Sequence, residues 1–88
     1  MITYSPEADA LYVYLTEEGP DAKAARTVPV DDDRIVDYAA DGSVQGIEFL
    51  GASQGISLEG LPERERIREL LATARKVLES ADLVKAGA

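Results

Sequence analysis

Glu7 and Asp9 stand two apart in the stretch YSPEAD, residues 4–9. In an extended chain that spacing puts both carboxylates on one face. Asp37 and Glu48 sit in two later segments rich in apolar residues, and neighbouring strands would bring all of them together. Carboxylates gathered in this way hold Mg²⁺ or Ca²⁺, or move protons. Turn chemistry competes for the same residues. Asp9 follows a proline and can accept backbone N–H bonds in the turn, and Asp37 can close the end of a hairpin. The chain has no His and no Cys. This removes the commonest general base near neutral pH, the thiol nucleophile and the zinc–thiolate centre. The expectation is a protein that is not an enzyme, with no catalytic residue, no metal and no cofactor.

Three other stretches offer less. Asp31-Asp32-Asp33 lacks the alternating ligands, spaced Gly and terminal Glu of a calcium loop, and reads as a solvated turn. The run GASQGISLEG, residues 51–60, has glycines, but no Lys-Ser or Lys-Thr follows to make a phosphate loop. Arg64, Arg66 and Arg68 spread around a helix and alternate with Glu63, Glu65 and Glu69, which cancels the local field.

Tyrosine is the more informative residue type. Four Tyr stand against one Phe and no Trp. A tyrosine ring can be covered while its hydroxyl stays wet, which suits a half-covered face or an interface. Tyr4, Tyr12, Tyr14 and Tyr38 are the candidate interface residues.

These residues need elements to position them. Ile2–Tyr4 reads as a short strand, and residues 5–9 as a turn around Pro6. Ala10–Thr16 is a second strand with no polar break: Leu11, Val13 and Leu15 on one side, Tyr12 and Tyr14 on the other. Arg26–Val30 is a third, placed at an edge or interrupted because Pro29 cannot donate to a ladder. Arg34–Tyr38 and Ser43–Leu50 form a hairpin through Asp41-Gly42, and Gly46 marks a bulge or a close approach. From about Pro62 to Ala81, Ile67, Leu70, Leu71, Ala74, Val77, Leu78 and Ala81 fall on one stripe at helical period. The fold class is α+β: a small antiparallel meander sheet of four to five strands, then one long amphipathic C-terminal helix. The 88 residues make a single domain, with the sheet in 1–53, a loop in 54–61, the helix in 62–81 and a frayed tail in 82–88. The helix is expected on Leu11, Val13, Leu15, Ile35 or Val36, Ile47 and Phe49, leaving Tyr12 and Tyr14, with Tyr4 and Tyr38, on the far face.

Charge narrows the partners. Residues 1–60 carry 12 acids and three bases, a net of −9, whereas residues 61–88 carry a net of +1. An acidic body repels phosphate backbones and attracts basic proteins, so direct nucleic-acid binding is not expected. No apolar run approaches a membrane span and residues 1–10 have no signal-peptide pattern, so the expected location is cytoplasmic. A chain this short buries a small core, and a homodimer is a common way to enlarge it.

The two segments are also familiar as a pair. Tyr4, Pro6, Glu7, Asp9, Ala10, Leu11 and Tyr12 match a Tyr-x-Pro-Glu-x-Asp-x-Leu-Tyr pattern. Val36, Asp37, Tyr38, Asp41, Gly42, Gly46, Ile47, Glu48 and Leu50 follow as a second block. Over about residues 2–53 the chain resembles the small bacterial domain-of-unknown-function family 2283. The resemblance implies a small α+β domain and no assigned activity, with some members resembling the partner half of toxin–antitoxin gene pairs. The leading expectation is a non-catalytic homodimeric protein-binding module, antitoxin-like toward a small basic protein. The alternatives are a stand-alone structural or regulatory dimer, and a weak metal or acid–base site on the carboxylates.

Overall fold

The computed structural model describes the backbone of residues 1–87 and the side chains of residues 1–75. Five antiparallel strands form one sheet: β1 (Ile2–Ser5), β2 (Ala10–Tyr14), β3 (Arg26–Pro29), β4 (Arg34–Tyr38) and β5 (Val44–Leu50). One helix, α1 (Arg64–Gly87), follows. The fold class is the one the sequence implies. In space the order is β1-β2-β5-β4-β3. A β1–β2 hairpin and a β3–β4–β5 meander are joined by β5 lying beside β2. The chain between β2 and β3 therefore passes from the middle of the sheet to its far edge. Pro29 sits on that edge strand, where its missing donor costs no ladder bond.

Register decides which face is the core. Val13 and Val36 flank Ile47 from either side, and Leu11 and Arg34 flank Phe49. Val13, Val36, Ile47 and Phe49 are all buried, so this face is packed. Ile35 stands opposite Glu48 on the other face, which leaves Val36 as the core residue of β4. Leu15 continues the packed face beyond β2, its N–H donating to the Gln45 carbonyl at 2.9 Å. Leu61 and Ile67 close the core, with Ile56, Leu58, Leu70 and Leu71 packed around it.

The helix differs from expectation at both ends. Glu63 has φ of 59°, in the left-handed region, and cannot be part of a right-handed helix. Pro62 accordingly lies in the turn before α1 rather than in its first turn. Helical backbone continues to Gly87, so residues 82–87 are helix where a frayed tail was expected. Of the expected stripe, Ile67 is buried and Leu70, Leu71 and Ala74 are half-buried. The side chains of Val77, Leu78 and Ala81 lie outside the described residues. Among the described residues, the loop ahead of the helix adds to the cover through Ile56, Leu58 and Leu61.

Three polar clamps hold the irregular segments. Arg34 donates through Nε and Nη2 to Asp31 Oδ2 at 3.0 and 2.8 Å. Its Nη1 reaches the carbonyls of Ser57, at 3.2 Å, and Glu59. Arg66 Nη2 donates to the Leu15 carbonyl at 2.7 Å, tying α1 to the crossing loop. The Gln45 amide, buried on the packed face, donates to the Lys23 carbonyl at 3.0 Å and accepts from Ala24 N–H at 3.3 Å. Among the described residues no helix is long and apolar enough to cross a membrane.

Candidate functional site

The open face of the sheet carries one connected group. Tyr12 on β2 pairs in register with Glu48, and Tyr14 with Gly46. The two rings lie 4.3 Å apart between centroids and tilt by 39°. The Tyr12 ring does not stand up from the sheet. It crosses β5 and donates from its hydroxyl to Asp37 Oδ2 on β4 at 2.5 Å. Thr27 on β3 donates to the other oxygen, Asp37 Oδ1, at 2.6 Å. Tyr12, Asp37 and Thr27 thus tie β2, β4 and β3 together across β5. Gly46 makes this possible: a Cβ there would lie 2.4 Å from Tyr12 Cε1. The need for Gly46 is therefore the close approach of a ring. The register shift in β4–β5 lies next to it, at Asp37/Tyr38. Burial, and then the bond to Asp37, push the Tyr12 hydroxyl well above its ordinary pKa.

A second group sits at the end of the sheet. Asp9 has φ of 49°, a left-handed conformation that Asp tolerates better than most residues. Its Oδ1 accepts from Tyr4 O–H at 2.7 Å and from Ser53 N–H at 2.9 Å, and its Oδ2 from Ser53 O–H at 2.6 Å. Its own carbonyl accepts from Ala52 N–H at 3.1 Å. The β1–β2 turn is thereby latched to the segment that follows β5. The Ser53 bonds, with Tyr4 beside them, hold the Asp9 carboxyl below its ordinary range, and the bond to Asp9 raises the Tyr4 hydroxyl.

The remaining sequence-predicted residues scatter around these groups. Pro6 and Glu7 are exposed in the β1–β2 turn, and Leu11 packs against the core. Asp41 Oδ1 caps its own turn, accepting from Ser43 N–H at 2.9 Å and Ser43 O–H at 2.6 Å, while Gly42 supplies φ of 87°. Glu48 is half-buried on the open face. The cluster of Glu7, Asp9, Asp37 and Glu48 that the weaker, metal or acid–base alternative needs does not form: Asp9 and Asp37 serve different groups, and Glu7 is exposed. Among the described residues no three acids come together as a metal set. Asp37 does not close a hairpin end, because Tyr12 and Thr27 occupy its oxygens.

The tyrosines divide between the faces. Tyr12 and Tyr14 are on the open face, as expected. Tyr4 is not, because its register partner is Leu11, which puts it on the helix side. Tyr38 also packs against the core, under the Arg26 guanidinium at 4.6 Å from the ring centroid. Tyr4 instead helps to line an apolar groove at the β1 edge, between Met1, Ile2 and Leu11 on one side and Leu70, Leu71 and Ala74 on the other. Sequence reasoning missed this groove, as it missed the clamps of Arg34 and Arg66. Alternation along residues 1–4 alone would have placed Ile2 and Tyr4 on one face.

A search of the curated proteins and of the solved structures found no match. A family model does match, described as "Protein of unknown function (DUF2283)", over residues 1–53. That span contains all five strands, both carboxylate groups and Gly46. The chain belongs to the DUF2283 family.

Proposed function

We propose that this chain is a non-catalytic protein-binding module that acts as a homodimer, its acidic body facing a small basic protein. What supports self-association is the surface. An apolar groove lies open beside β1, lined by Ile2, Leu11, Leu70, Leu71 and Ala74. Met1 and Tyr4, which also line it, are exposed, and an open apolar patch of this kind suits a second copy. A non-catalytic role is supported by how the carboxylates are used: the oxygens of Asp9 and Asp37 already accept bonds from Tyr4, Ser53, Tyr12 and Thr27.

The basic partner is supported by charge alone, the net of −9 in residues 1–60. The test is purification of the tagged chain from its native source at low and high salt. A stoichiometric small basic protein that leaves as salt rises fits the reading. A chain recovered only with itself, at dimer mass, favours the stand-alone dimer. A chain recovered as a monomer removes both.

A further inference from the structure

We propose that two copies pair antiparallel along β1, about a twofold axis at Thr3, so that their sheets become one continuous sheet and their apolar grooves meet. The inference rests on the homodimer reading and names its contact. The ladder shows which groups β1 has left over. Tyr14 N–H donates to the Met1 carbonyl at 2.8 Å, and the Met1 amine donates to the Tyr14 carbonyl at 3.3 Å. Met1 and Tyr14 are therefore a hydrogen-bonded pair. Antiparallel pairs alternate, so Thr3 also bonds inward to Tyr12, while the N–H and C=O groups of Ile2 and Tyr4 point outward.

Those outward groups are self-complementary. With Thr3 on the axis, Ile2 of one copy opposes Tyr4 of the other, and each such pair can exchange two backbone bonds. The Ile–Tyr side-chain contact is β-branched on aromatic, and the Thr–Thr contact is close and favourable. Both Ile2 and Tyr4 line the groove, so the pairing that satisfies the backbone also covers the apolar surface. Edge strands that must stay single are usually blunted by proline, charge or a bulge. Ile2-Thr3-Tyr4-Ser5 carries none of these, whereas β3 at the opposite edge carries both Arg26 and Pro29.

The test combines mass by light scattering with amide exchange by NMR on the full chain. Dimer mass with the Ile2 and Tyr4 amides slowed on the order of tenfold or more, a slowing lost on dilution, is the expected result. Dimer mass with those amides exchanging freely overturns the β1 contact and leaves self-association standing. Monomer mass at all concentrations overturns both. Thr3→Glu, which sets two carboxylates against each other on the axis, should lower the mass while far-UV circular dichroism stays unchanged. Thr3→Val should keep the dimer, and a Thr3→Glu chain that stays dimeric overturns the register.

Discussion

At the scale of single residues, Gly46, Tyr12 and Asp37 act as one device. A methyl group on Gly46 would occupy the place of the Tyr12 ring, so Gly46→Ala should push the ring off Asp37. The expected loss is about 1–3 kcal/mol, the usual cost of overpacking. Tyr12→Phe should cost about 1 kcal/mol through the lost hydrogen bond. The decisive measurement is a double-mutant cycle by urea denaturation. In a Tyr12→Ala background Gly46→Ala should become nearly harmless, and full additivity would mean that ring and glycine do not meet. The titrating groups set both pH limbs. Asp9, Asp31 and Asp41 are held below their ordinary 3.8, by Ser53, Arg34 and Ser43 in turn. Their contribution is present above about pH 3.8 and falls away as pH drops through the folded values. Tyr12 is raised above 10.0, so its contribution is intact below pH 10 and is lost as pH climbs toward its folded value. Tyrosinate absorbance should show one hydroxyl resisting ionisation above pH 10 while the fold holds, and Tyr12→Phe should remove that resistant step. Much of this scale was open to sequence reading: Gly46 as a close approach, Asp41-Gly42 as a turn. What could not be read was the ring that approaches Gly46, because β2 and β4 become near neighbours only when β5 lies between them.

At the scale of elements, strands were more legible than the helix. Strand residues announce themselves by alternation, and Pro29 at an edge follows from its missing N–H. The start of α1 is set by the left-handed Glu63, a backbone choice that the period of the apolar stripe does not encode. The same stripe overstated how evenly the helix contributes. Ile67 is fully buried, but Leu71 is only half-buried. Ile67→Ala should therefore cost about 2–5 kcal/mol, and Leu71→Ala clearly less. Equal losses in thermal unfolding would show that α1 packs along its length rather than at its first turns. The loop ahead of α1 should be as sensitive as the helix, since Leu61 is buried beside Ile67 and Arg34 grips the carbonyls of Ser57 and Glu59.

At the scale of the molecule, charge and apolar surface pull in opposite directions. Each copy carries a net charge of −8. Two such copies repel at long range, and salt screens that repulsion within about 10 Å at 0.1 M. Dimerisation should therefore tighten as salt rises, and the melting temperature should increase with protein concentration. Binding of a basic partner should weaken under the same change, so a salt series by analytical ultracentrifugation separates the two contacts by sign. Weakening of the dimer with salt would mean that ion pairs, not strand pairing and apolar cover, hold it. The unlike edges of the sheet have one more consequence. A sheet with two receptive edges can recruit copy after copy and grow into a filament. In the proposed pairing β1 is consumed when two copies meet, and β3, with a proline in place of a donor and a guanidinium beside it, has little to offer a newcomer. Assembly through that contact would be self-terminating: it would close at two and leave no end from which a fibre could elongate.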